Sequence, residues 1–363
     1  MAFRDLSVVL YDGKVKLDYK DKTHRYYVRH RVDWGKDPED PKAWGKITYP
    51  RGTTTILGDT LEKKGLMQWP KGLALTELFG YYNFTNEEGR KLVGFSKDKG
   101  TIWGSKLDPE VVLPLVVSAD TAWARKQKQG ADIGSIVHDA IERYILANTN
   151  NPELKGQPFE FDISEQYLWG IKEAITDVNS PEYELAMERF PEEAEMAKKA
   201  FTRFTEWWKE TTPVLLGAEE LLYSLEHNVS GTYDAFIGVK KEHHPKGDTF
   251  DKDIIFCTTD WKTSNASTSK SAGAPEGIYY SYFIQLAIYE MMRREMGGVP
   301  ADDLMTLSAR KDGNLSLVYL SELGLTVDQA IEWAKAVLVC HNFMVDTKKQ
   351  LLIHGENNGY KTN

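Results

Sequence analysis

Hydrophobic and polar positions change period several times along the 363-residue chain. Up to about residue 58 the apolar and β-branched residues come in short runs, at 8–11, 15–19 and 25–28, broken by Asp12-Gly13 and Asp21-Lys22. Residues 53–57 are one more β-branched run, so this segment reads as β-rich. Helical spacing follows at 61–66 and 73–82, a Gly-, Asn-, Asp- and Lys-rich loop at 83–108, and helix again over 109–148. Residues 149–196 hold Pro, Asn and an acidic excess and read as a surface insertion of short helices. Ala197, Phe201, Phe204 and Trp208 then mark an amphipathic helix that stops at Thr212-Pro213.

A second β block lies at 214–223, 231–239 and 254–263. The Ser-, Ala- and Gly-rich stretch 265–277 separates it from a helix at 279–296 that ends on Gly297-Gly298. A hairpin at 304–309 and 315–320 turns on Asp312-Gly313, and a last amphipathic helix at 327–345 precedes a fraying tail. This order predicts an α/β fold, a mixed central sheet flanked by helices. An N-terminal β-rich and helical extension covers 1–120, and a core covers 121–363 with the acidic helical insertion at about 149–196. No internal repeat is present.

Composition narrows the picture little. Hydrophobic residues make up 41%, enough for a substantial core, and the net charge of −9 removes a broadly basic nucleic-acid surface without excluding a basic groove on an acidic body. Cys257 and Cys340 fit no disulfide or metal spacing and no iron–sulfur cluster, and they suit a reducing compartment. No signal peptide, transit peptide or membrane span is expected, and no G-x-x-x-x-G-K-[ST] occurs, so no nucleotide cofactor is expected.

The chemistry gathers around DIIFCTTDWKTS at 253–264. Side chains alternate along a strand, which puts Asp260 and Lys262 on one face. Alone, such a pair is more often a plain ion pair at a strand end. Upstream, Gly134, His138 and Glu142 share one helical face, with Ile141 and Ile145 on the core side. His138 in isolation reads as a core histidine, and Asp234 reads as a strand acid suited to a metal, with a turn carboxylate after Gly231 as the alternative. Glu142 reads as a helix-surface residue or a support to the site. Downstream, Gln285 and Tyr289 share a face while Ile284, Ile288 and Met292 form the core stripe. Thr263 and Ser264 either contact phosphate or end the strand. Arg310 and Lys311 either grip a backbone or tip a solvated hairpin. Arg125, Lys126 and Lys128 form a small basic cluster that reads as a solvated helix end. His138-Asp139 also invites an HD-type phosphohydrolase, but that chemistry needs further ligands on an all-helical scaffold, and here the acids fall in strands.

In this order the motifs G-x-x-x-H (Gly134 to His138), a strand Asp (Asp234), D-x-K (Asp260-Trp261-Lys262) and Q-x-x-x-Y (Gln285 to Tyr289) resemble the RecB-type branch of the PD-(D/E)XK nuclease superfamily. DWKTS, with SARKDG at 308–313, is similar to mitochondrial genome maintenance exonucleases and their phage relatives. The resemblance covers about 120–345; Tyr233 stands where the family's nominal pattern has proline. It implies a restriction-endonuclease-like core and Mg²⁺ or Mn²⁺ held by His138, Asp234, Asp260 and the Trp261 backbone carbonyl. Lys262 would orient or deprotonate the attacking water or stabilise negative charge. The implied activity is exonuclease cleavage of single-stranded DNA or DNA ends in replication, recombination or repair. A structure-specific or restriction-type endonuclease and a non-catalytic DNA-binding module of the same fold are the alternatives. The setting it implies is the cytoplasm of a bacterial or phage-infected cell, with a recombination or replication protein as partner. Trp69, Trp103 and Trp123 are candidate stacking groups in a cover over the site.

Overall fold

The computed structural model describes residues 5–61, 93–96, 101–104, 133–159, 161–264 and 278–357. The chain divides into one unit of residues 1–62 and 134–363 and a second of residues 63–133. In the first unit, β1 (Leu6–Leu10), β2 (Val15–Lys20) and β3 (Arg25–His30) form an antiparallel three-stranded sheet. Asp12 and Gly13 adopt positive φ in the first turn, as the Asp-Gly signal requires. Alternation along β2 and β3 then turns Val15, Leu17 and Val28 onto Leu221 and Tyr223.

A two-residue strand, β4 (Arg51–Gly52), leads into α1 (Thr53–Thr60). The β-branched run 53–57 is therefore helix, not strand. Packing overrides local propensity here: Thr53, Ile56 and Leu57 are buried, and Thr53 Oγ1 donates to the Ser230 carbonyl at 3.0 Å.

Of the second unit, β5 (Val93–Ser96) and β6 (Thr101–Gly104) pair as an antiparallel hairpin inside the stretch expected to be loop. The helices expected after residue 61, at 73–82 and over 109–132 lie outside the described residues. So do Trp69, Trp123 and the basic cluster at 125–128; Trp103 falls on β6.

The first unit continues with α2 (residues 133–148), α3 (Ile163–Ala174) and α4 (Pro181–Thr211). The acidic insertion holds one short helix, α3, as expected, but its second part is not a short helix. From Ser180, whose hydroxyl accepts the Tyr183 N–H, one 31-residue helix runs through Pro191 to Thr211. Pro191 removes one helical bond. Packing holds the helix across it: Ala194, Ala197 and Ala200 are buried, and Tyr167 of α3 donates its hydroxyl to the buried Glu193 carboxylate. The helix ends where Thr212 turns left-handed, ahead of Pro213.

The central six-stranded mixed sheet adds β7 (Val214–Ser224), β8 (Val229–Lys240), β9 (Ile254–Ser264), β10 (Asp303–Arg310) and β11 (Leu315–Tyr319) to β4. β7, β8 and β9 form an antiparallel meander; β10 lies parallel to β9 after a crossover through α5 (Tyr280–Glu295). The last helix, α6 (Val327–Asn357), runs well past residue 345, where the pattern predicts its end. Leu286, Ile288 and Met292 of α5 pack with Ala330 and Ala334 of α6 in the main core. Opposite them Trp261 is buried edge-on against Phe204 and Trp207 of α4, with centroids 5.2 and 6.2 Å apart. Trp261 fixes the facing of β9. With its indole on the α4 side, Asp260 and Lys262 must face α5. Among the described residues no helix is long and apolar enough to cross a membrane.

Candidate active site

The site forms where two strands diverge. The β8–β9 ladder runs from Lys240↔Ile254 to Ala235↔Thr259 and stops there. β9 stays paired to β10 from Thr306↔Asp260 to Arg310↔Ser264, while β8 next pairs on the β4 side through Ser230 and Val229. Residues 231–234 of β8 therefore face an opening. The carboxylate of Asp234 stands in for the lost ladder acceptor by taking the Trp261 N–H on Oδ2. His138 of α2 brings Nδ1 to 3.8 Å from the same oxygen, and its ring also donates to the Trp261 backbone carbonyl. A Cβ on Gly134 would lie 2.9 Å from Thr263 Oγ1, so glycine is what lets α2 approach the end of β9.

Asp260 is 2% exposed, and its Oδ2 lies 2.6 Å from Lys262 Nζ. That contact is a close charge-assisted ion pair, and no donor other than Lys262 reaches Oδ2. Gln285 Nε2 approaches Oδ1 at 3.4 Å and donates to Tyr289 OH at 2.8 Å. The Tyr289 ring lies over Gly231, where a Cβ would come within 2.5 Å of it. Lys262 Nζ also sits 5.0 Å from the Tyr282 ring centroid.

Burial dominates the electrostatics. It pushes the carboxyl of Asp260 up to about 6 against the pull of Lys262, and Asp234 likewise to about 6. Burial, then the Lys262 charge, lowers His138 to about 4, which leaves a neutral imidazole at pH 7. Burial alone would lower Lys262 as well, but the charges of Asp260 and Asp234 outweigh it and hold the ammonium above the ordinary lysine range. Lys262 is thus a fixed positive charge in this arrangement rather than a base.

The structure brings together His138, Asp234, Asp260, Lys262, Gln285 and Tyr289, with Trp261 contributing its backbone. A cavity of about 570 Å³ opens onto Asp234, Asp260, Lys262, Gln285 and Tyr289. A second opening of about 360 Å³ is lined by Gly134, His138, Glu142 and Asp234, so Glu142 borders the site from its other side. Thr263, Ser264, Arg310 and Lys311 do not line the first cavity. Ser264 Oγ is 2.7 Å from Ser308 Oγ, Arg310 donates to Asp312, and Lys311 is buried with its N–H on the Ser264 carbonyl.

Two contributions escape a reading of the sequence alone. Glu219 of β7, at positive φ, lies between the pairs Ala218↔Ala235 and Glu220↔Tyr233, opposite Asp234, and lines the smaller opening. Its signal is an acid in mid-strand. The second is the N-terminal segment, since His24, Arg25, Tyr26, Tyr49 and Arg51 wall the larger cavity.

Among the described residues no group of three or more His, Cys, Asp or Glu side chains is set to hold a metal ion. Lys262 and the Trp261 N–H occupy the two carboxylates instead. The donor set still fits a hard divalent cation. One buried and one largely buried carboxylate, a neutral imidazole and a carbonyl are oxygen-rich ligands with one nitrogen, and Lys262 alone contacts Asp260 Oδ2. Compared with protein-family models and with curated proteins, the chain matches none.

Proposed function

We propose that the chain is a metal-dependent deoxyribonuclease, an exonuclease that hydrolyses phosphodiester bonds at DNA ends or on single strands. The observation that carries this reading is the pairing of Asp234 and Asp260 with Lys262 and His138 at the divergence of β8 and β9, open to a cleft large enough for a nucleotide. The motif order and the helix, three-strand meander, helix and strand that bear it support the same class. A bound Mg²⁺ or Mn²⁺ would supply a Lewis acid that bears charge on the phosphate and lowers the pKa of a water. Asp234, Asp260, His138 and the Trp261 carbonyl are the groups to hold it. Lys262, kept protonated by both carboxylates, places a positive charge where a phosphoryl oxygen gains negative charge. Gln285, held by its bond to Tyr289, keeps an amide N–H near the Asp260 carboxylate. On the resemblance we place this work in the cytoplasm, in recombination, replication or repair.

End-labelled linear DNA and a closed single-stranded circle, incubated with Mg²⁺ or Mn²⁺, test the proposal. Loss of the linear strand alone is the expected result. Rapid cutting of the circle would make the enzyme an endonuclease. No cleavage of either, unchanged in Lys262→Ala, would leave a binding module.

A further inference from the structure

The wall of the cleft opposite Asp260 and Lys262 comes from the N-terminal sheet and the segment after it. It is aromatic and cationic, although the chain as a whole is acidic. Tyr26 is its fixed member: its hydroxyl is 3.1 Å from Thr232 Oγ1 of β8, and its ring lies 4.9 Å from that of Tyr19. Tyr19 in turn bonds His24 at 2.8 Å. The outer face is open. Tyr49 is 64% exposed with its ring edge-on to Tyr27, Arg51 is exposed beside Asp59, and Arg25 is exposed and makes no ion pair among the described residues. Tyrosine faces beside guanidinium groups match the two surfaces of an unpaired strand, its bases and its phosphates. In a duplex the base faces are stacked on one another and cannot be reached. The wall also runs into β8, since Arg51 and Gly52 pair with Val229 and Ser230.

We propose that this N-terminal wall is the strand-holding site. A base of an unpaired nucleic acid stacks on Tyr49 and the flanking phosphates sit on Arg25 and Arg51, which delivers the chain to Asp260 and Lys262. This assignment rests on the nuclease reading for its purpose, though not for its binding chemistry.

The test uses the full chain carrying Lys262→Ala and a fluorescein-labelled oligodeoxythymidylate, with a duplex of equal length alongside, across a salt series. The single strand binds more tightly than the duplex, and Tyr49→Ala weakens its binding about tenfold. Arg25→Ala lowers the slope of log affinity against log salt by about 0.7, the value of one lost phosphate contact on a single strand. Equal binding of the two nucleic acids, or unchanged affinity and slope in both variants, overturns the assignment. Cleavage by the wild-type chain is measured in parallel. If it cleaves DNA while Tyr49→Ala and Arg25→Ala bind like the parent, the wall assignment falls and the nuclease reading stands. If it cleaves nothing while both losses appear, the nuclease reading falls and the wall stands.

Discussion

Two buried carboxylates meet the same strand and the same helix in opposite ways. Thr258 and Asp260 stand two residues apart on one face of β9. Thr258 faces Glu290 of α5, which is fully buried and accepts bonds at 2.8 Å from Thr258, Arg293, Arg294 and the Ala301 N–H. Each oxygen is used and each charge is answered. Asp260, two residues further on, has a distant amide on one oxygen and a single ammonium on the other, and burial pushes its carboxyl up to about 6. Burial is similar; satisfaction differs. Glu290 ties β9 to α5 through four donors, whereas Asp260 has only Lys262 and a long contact to Gln285 and lines the cleft.

The sharpest way to break this contrast is at Glu290. Glu290→Ala strands Arg293 in the core and is expected to cost about 3–5 kcal/mol of stability in a denaturant titration. A loss no larger than that of a surface substitution would erase the distinction. Lys262→Ala should cut the cleavage rate by about 100- to 1,000-fold while the folded circular dichroism spectrum persists. Asp260→Asn should do something Glu290→Gln cannot, namely stabilise. Burial pushes the Asp260 carboxyl up to about 6 from an ordinary 3.8, so the folded state holds the proton more tightly and loses stability as pH rises between those values. The variant escapes that loss. With Asp234 left as counter-charge to Lys262, it should gain about 1 kcal/mol above pH 6, shrinking to nothing below about pH 4, read from melts across pH. The smallest effect is expected at Tyr289→Phe, which removes the brace on Gln285 and costs about 0.5–1.5 kcal/mol in the same melts.

Much of the site was legible because its members are local. The strand alternation that puts Asp260 beside Lys262, and the helical spacing that lets Gln285 reach Tyr289, need only the nearest residues. What the sequence did not reveal depends on long-range register. Nothing in 229–264 announces that the β8–β9 ladder ends just before Asp260, or that Glu219 falls opposite Asp234. The N-terminal wall was hidden for the same reason, since its Arg51–Gly52 strand finds β8 across almost 180 residues. Local propensity also misled where packing won, in the β-branched residues of α1 and in the helix that continues through Pro191.

From this contrast we propose a cation site at Asp260 and its neighbours and none at Glu290. Titration calorimetry with Mn²⁺ at neutral pH, on wild type, Asp260→Asn and Glu290→Gln, tests it most directly. Binding to wild type is expected, retained by whatever fraction of Glu290→Gln is folded and lost in Asp260→Asn. Mn²⁺ binding undiminished in Asp260→Asn, or none to the wild-type chain, would contradict it.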